Sequence, residues 1–131
     1  MPRLFRESPL NGIWEGSGNV ICLDVLRAMA REPGSVDAFF REVDRARGQD
    51  ERLDRYVDAL RDELADFADA ETRARRIVER LALALQGSLL VRHGDPKVAD
   101  AFVASRLAGD HGRAFGTLPR GVDHRAILDR A

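Results

Sequence analysis

The chain has 131 residues, a formal net charge of −1, 44% hydrophobic and 33% charged residues. That length holds one domain with one core, and that balance excludes a disordered chain. No apolar run is long enough to cross a bilayer, the opening MPRLFRESPLNG lacks the apolar middle of a secretory signal, and a lone cysteine, Cys22, excludes both an internal disulfide and a cysteine-based zinc site. A cytoplasmic, soluble protein with no membrane partner is the expectation, and the near-neutral charge carries no bulk signal for nucleic acid.

Taken in chain order, the pattern is helical almost throughout. SGNVICLDVLRAMAREPG, residues 17–34, opens on Ser and Asn as N-cap candidates and stops at Pro33–Gly34. SVDAFFREVDRARG, residues 35–48, starts at Ser35 as N-cap, shows Phe39, Phe40 and Val43 on one face, and ends at Gly48. In DERLDRYVDALRDELADFADA, residues 50–70, Leu53, Tyr56, Val57, Leu60, Leu64 and Phe67 form one apolar stripe at helical spacing. Its opposite face carries Asp54, Asp58 and Asp62, which repel at i,i+4 and call for water or a basic partner.

ETRARRIVERLALALQGSLLVRHG, residues 71–94, is polar at its start and apolar nearly all round from Leu81 to Leu85. Such a helix is buried centrally or at a subunit contact, and the apolar run 81–91 predicts a homo-oligomer. DPKVADAFVASRLAG, residues 95–109, has Asp95 as N-cap and Pro96 at the first helical position. DHGRAFGTLPRGV, residues 110–122, is aperiodic and rich in Gly and Pro, hence a loop. DHRAILDRA closes with a short helix capped by Asp123. The sum is an all-α bundle of about five to six helices in a single domain, with short connections.

Charge is unevenly spread: residues 35–69 hold six basic and eleven acidic groups, residues 70–131 eleven and seven. Twenty of the twenty-one basic residues are Arg. A GC-rich genome accounts for that, and so does phosphate recognition by the bidentate guanidinium. Arg73, Arg75 and Arg76 of the RARR stretch are either a solvated face or a phosphate-binding segment, with Arg113 and Arg120 second candidates. Cys22 reads as a small buried hydrophobe. His93, His111 and His124 have no metal-ligand spacing, so no metal is expected, and His93 is placed at a helix end.

The stretch LNGIWEGSGNVICLDVLR, residues 10–27, stands apart, with the only Trp, the only Cys and three of the eleven glycines. Gly16 and Gly18 allow a ligand close to the backbone. Ser17, Gly18 and Asn19 offer donors at a helix N-terminus, where anions bind. Glu15 beside Trp14 could sit in a partly apolar pocket that suits a general base. The plain alternative is a helix cap.

IWEGSGN resembles the Tyr-Glu-Gly-Thr-Ser-Gln turn near the C-terminus of acyl-CoA dehydrogenases. LFRESPLNGIWEGSGNVICLDVLRAMARE, LLVRHGDPKVADAFVASRLAG and FGTLPRGVDHRAILDRA together resemble the AidB-like branch of that family, related to isovaleryl-CoA dehydrogenases, across essentially the whole chain. The resemblance implies that residues 1–32 are the flavin and acyl-site turn with the last helix of the dehydrogenase bundle. Residues 35–131 would then be the branch's C-terminal helical extension.

It further implies Glu15 as the base removing the α-proton of an acyl thioester, Gly16 and Trp14 at the acyl-CoA site, and Ser17, Gly18 and Asn19 against FAD. Ser-Gly-Asn stands where Thr-Ser-Gln is usual, and Trp14 where Tyr is frequent. Arg27, either a cation at a helix end or, as the branch implies, a DNA contact near the active-site mouth, joins Arg73, Arg75, Arg76, Arg113 and Arg120 as candidates for weak, non-specific duplex DNA binding. The resemblance covers only the C-terminal region of such an enzyme. FAD and acyl-CoA are therefore expected only in a full-length context, and the chain alone is expected to be inactive. The alternative is a non-catalytic helical module that binds DNA or protein.

Overall fold

The computed structural model describes residues 2–12, 18–109 and 121–130, with the side chains of residues 11 and 12 left aside. The expected turn at Trp14, Glu15, Gly16 and Ser17, most of the expected loop at 110–122, and Arg113, Arg120 and His111 lie outside the described residues. The elements are α1 Pro2–Glu7, α2 Gly18–Arg31, α3 Pro33–Val43, α4 Glu51–Ala65, α5 Ala74–His93, α6 Pro96–Phe102 and α7 His124–Leu128. Shorter 3-10 turns and one π-helical turn join them, and no strand occurs among the described residues. The fold is the expected all-α bundle, with α1 and its following 3-10 turn Ser8–Gly12 as additions that the sequence pattern did not assign.

The break between α2 and α3 is a single residue, Glu32, held at φ −129° and ψ 77°. Proline disfavours helical backbone in the residue before it and suits the first helical turn. Helix α3 therefore starts at Pro33, and Ser35 is its third residue rather than its cap. The chain leaves α3 through a 3-10 turn at Asp44–Ala46 and reaches Gly48, whose φ of +79° favours glycine.

Asp50 caps α4 by accepting from the N–H groups of Arg52 and Leu53 at 2.8 and 3.4 Å. The apolar stripe of α4 holds from Leu53 to Leu64. The helix ends at Ala65, however, so Phe67 falls beyond it and stays 43% exposed. The acidic row finds basic and backbone partners. Arg47 donates to both Asp58 oxygens at 2.7 and 3.1 Å, and the Gly48 N–H donates to Asp54.

Helix α5 is the axis of the bundle, packed against α2, α3, α4 and α6. Its near-complete apolar girdle thus has a central use. Leu53, Val57, Leu60, Val43, Ala46 and Ala84 make one core cluster; Cys22, Leu26, Ala70, Ala74 and Ile77 make the other. Cys22 sits in the second as a small hydrophobe. Gly87 permits the close approach of α4 and the π-helical turn: a Cβ there would lie 2.8 Å from Leu107 Cδ1 and 3.3 Å from Leu53 Cδ1. Next to it, buried Ser88 donates from Oγ to the carbonyl of Val43 at 3.1 Å, tying the end of α3 to α5.

Asp95 and Pro96 open α6 as the sequence requires, with the Asp95 carboxylate accepting from the Lys97 and Val98 N–H groups. The single helix expected over 95–109 changes pitch at Val103–Leu107, where the Ala108 N–H reaches the Val103 carbonyl at 2.9 Å in a π-helical turn. Asp123 caps α7 through the Ala126 N–H, and α7 is held to α6 by Arg130–Asp95 at 2.7 Å.

Candidate functional site

Of the residues expected around a cofactor, Gly18 and Asn19 are described. Both are exposed at the first turn of α2, where the N–H groups have no partner within the helix itself. Arg75, an exposed residue of α5, reaches this end of the helix: a Cβ at position 18 would lie 3.0 Å from Arg75 Nη2. The positive end of a helix dipole and a guanidinium thus share one patch, which is the electrostatics an anionic group requires.

The RARR stretch does not act as a single face. Arg73, in the 3-10 turn before α5, donates to the carbonyls of Asp66 and Ala68 at 2.7 and 2.9 Å. Arg76 turns to α4 and donates to Glu63 at 2.9 Å, where Arg80 also pairs. Only Arg75 faces the start of α2. Residues 75 and 76 differ by about 100° around a helix, which separates their surroundings.

Arg27 is exposed and pairs with Asp24 one turn earlier on α2. It stands at the edge of a groove of about 490 Å³ whose apolar wall is Leu23, Leu26 and Phe67 and whose rim carries Asp69 and Glu71. Two acids on that rim reduce its attraction for phosphate. His93 ends α5, as expected, and no cluster of His, Cys, Asp and Glu suited to a metal occurs among the described residues. No described helix is long and apolar enough to cross a membrane.

One feature escaped the sequence pattern. Arg52 and Arg55 of α4 and Arg76 and Arg80 of α5 line a groove of about 620 Å³, with Tyr56, Ala59, Leu107 and Ala108 between them. Arg80 lies 4.9 Å above the Tyr56 ring centre. Burial pushes the Tyr56 hydroxyl above its ordinary value, against the opposing pull of Arg80. Behind the groove, Glu63 is 12% exposed and faces three guanidiniums, those of Arg73, Arg76 and Arg80. Burial works to raise the Glu63 carboxyl, but hydrogen bonds from Arg80 and Arg76 outweigh it and hold the group below its ordinary value. The i,i+3 and i,i+4 spacings of these arginines were visible; the pairing of α4 with α5 was not.

No family model matches the chain. It is 39% identical over 102 residues to AidB of Escherichia coli (strain K12), named as an acyl-CoA dehydrogenase, covering 78% of this chain and 18% of that protein. It is 32% identical over 120 residues to acyl-CoA dehydrogenase family member 11 of Caenorhabditis elegans, covering 76% of this chain and 19% of the relative. The chain therefore spans about a fifth of the length of these curated relatives. With two such relatives matched over about three quarters of its residues, and an all-α bundle of the kind the resemblance implies, the chain belongs to the acyl-CoA dehydrogenase family, in its AidB-like branch.

Proposed function

We propose that the chain is the C-terminal helical part of an FAD-dependent acyl-CoA dehydrogenase of the AidB-like branch, in which Glu15 takes the α-proton of an acyl thioester. The observation that carries this reading is the pair of family relatives, joined to the exposed first turn of α2 with Arg75 beside it. That patch fits a phosphate of a dinucleotide: the N–H groups of Gly18 and Asn19 donate, and Arg75 balances charge. FAD, when bound, supplies the hydride acceptor. Trp14 and Gly16 are assigned to the acyl group, with Glu15 as the base.

A fifth of the relatives' length does not bring base, thioester and flavin together, and proton removal needs all of them held in place. The chain alone is therefore proposed to hold no FAD and to turn over no acyl-CoA. Its exposed apolar side chains, Leu4 and Phe5 on α1 and Val20 and Ile21 on α2, are assigned to contacts with the rest of such an enzyme or with a second copy. The reading of the chain as a DNA-binding module draws on Arg73, Arg75 and Arg76, of which the first and last already serve Glu63 and backbone carbonyls.

A chimera tests the proposal. Placed in the Escherichia coli relative in exchange for the matching segment, the chain should retain FAD, and Glu15→Gln should keep the flavin while acyl-CoA oxidation falls by about 10³-fold or more, the scale of losing a general base. A Glu15→Gln chimera as active as its parent would remove Glu15 from the chemistry. A stoichiometric yellow complex with the isolated chain would show that the cofactor site lies within this piece.

A further inference from the structure

The groove between α4 and α5 is distinct from the patch at the start of α2, since its lining arginine Arg76 lies about 100° around α5 from Arg75. Among the described residues its lining contains four guanidiniums and no carboxylate. The acids that pair with them stand behind or beside it: Asp50 and Asp100 hold Arg52 at 2.6 and 2.8 Å, and Glu63 holds Arg76 and Arg80. These pairings divide the four arginines into two kinds. Arg52 and Arg80 are 30% and 15% exposed and locked in place, Arg80 by Glu63 and the Tyr56 ring. Arg55 and Arg76 are 70% and 66% exposed, and the only partner of Arg55 in an ion pair among the described residues is Glu51 at 3.7 Å, itself 93% exposed.

Three guanidiniums held by carboxylates and one, that of Arg55, held only by an exposed ion pair line the facing helices and make a clamp. Arg55 can swing inward at small cost because its ion pair is weak and solvent-screened, while Arg76, bonded through Nε to the largely buried Glu63, keeps the rest of its exposed guanidinium for a ligand. The described floor is made of small and apolar residues, Ala59, Leu107 and Ala108. A volume of about 620 Å³ falls in the range of small-molecule sites. Guanidinium forks match phosphate oxygens two at a time, which an array of lysines would not do.

We propose that the α4–α5 groove lined by Arg52, Arg55, Arg76 and Arg80 binds a compact oligophosphate, such as pyrophosphate or the phosphate chain of a nucleotide. A single phosphate engages one or two of the four forks, whereas a chain of two or three phosphates spans both helices. The groove therefore discriminates by length as well as charge.

The test is isothermal titration of the chain with inorganic tripolyphosphate, pyrophosphate and orthophosphate at low salt. Tripolyphosphate is expected to bind more tightly than orthophosphate, with affinity falling as salt rises. Arg55→Ala with Arg76→Ala should weaken tripolyphosphate by about a hundredfold, a factor of about ten for each guanidinium–phosphate pair removed. Arg41→Ala with Arg125→Ala, exposed arginines away from the groove, should leave it unchanged. Arg55→Lys with Arg76→Lys keeps the charge but removes the forks, and an intermediate affinity is expected even if the alanine pair melts early. The proposal is overturned if tripolyphosphate gives no saturable binding, if the two alanine pairs weaken it equally, or if the lysine pair binds as tightly as the parent. It is equally overturned if a short DNA duplex binds through Arg55 and Arg76 while the free oligophosphates do not, since the groove would then be a nucleic-acid surface.

Discussion

Glu63→Gln is the substitution that most sharply probes how α4 is tied to α5. Glutamine keeps the size and one acceptor oxygen but removes the charge facing Arg73, Arg76 and Arg80. The pair with Arg80 dominates, because both side chains are largely buried, at 12% and 15% exposure. A charge-assisted hydrogen bond contributes about 1.5–3 kcal/mol and a neutral one about 1, so the Arg80 pair weakens by about 0.5–2 kcal/mol. Arg76 is 66% exposed, which limits its share to about 0.5 kcal/mol or less. Arg73 at 3.6 Å adds little. The removal of a largely buried charge returns part of the loss, leaving about 0.5–2 kcal/mol in all.

For a chain of this size that corresponds to a melting temperature lower by about 2–8 °C, followed by circular dichroism at neutral pH and low salt. Glu79→Gln, at an exposed residue in the interior of α5, is the control and should not move the melt. The effect should also depend on pH. The folded-state carboxyl lies below its ordinary value of 4.5, so its stabilisation is complete at neutral pH and is lost as pH falls through the lowered value. Parent and variant melts should converge in acid. A variant that melts with the parent at pH 7, or a difference that widens in acid, would refute the role given to this carboxylate.

Ser88→Ala removes the hydroxyl that donates to the Val43 carbonyl and should cost about 1 kcal/mol in denaturant unfolding, with an unchanged m-value. Leu60→Ala opens a cavity at a side chain with no exposure and should cost about 2–5 kcal/mol; a smaller loss would mean that α4 and α5 collapse around it. If the exposed apolar residues of α2 are a contact surface, Ile21→Lys should shift the chain toward monomer in light scattering at micromolar concentration. A parent that is already monomeric, with no concentration dependence, would exclude self-association through this face.

What the sequence determined by itself is what depends on neighbours a few residues away. The Asp95–Pro96 and Asp123 starts and the Leu53–Leu64 stripe were legible because a cap or a helical face is completed within one or two turns. The same local chemistry pointed to Ser35 as the cap of α3, whereas the helix starts at Pro33, because proline restricts both itself and Glu32. Periodicity alone carried α4 on to Phe67, whereas the chain turns at Asp66, where Arg73 binds the Asp66 and Ala68 carbonyls from across the turn. The family was legible in the Trp14–Asn19 turn and its flanks, since a resemblance of motifs needs no coordinates. Only the tertiary structure placed Arg75 beside Gly18, turned Arg73 and Arg76 toward α4, and assembled Arg52, Arg55, Arg76 and Arg80 around one groove. Those pairings join residues of different elements. Their geometry is set by the packing of α2 and α4 against α5, which Gly87 and the two core clusters allow, and a one-dimensional pattern holds no record of which faces meet.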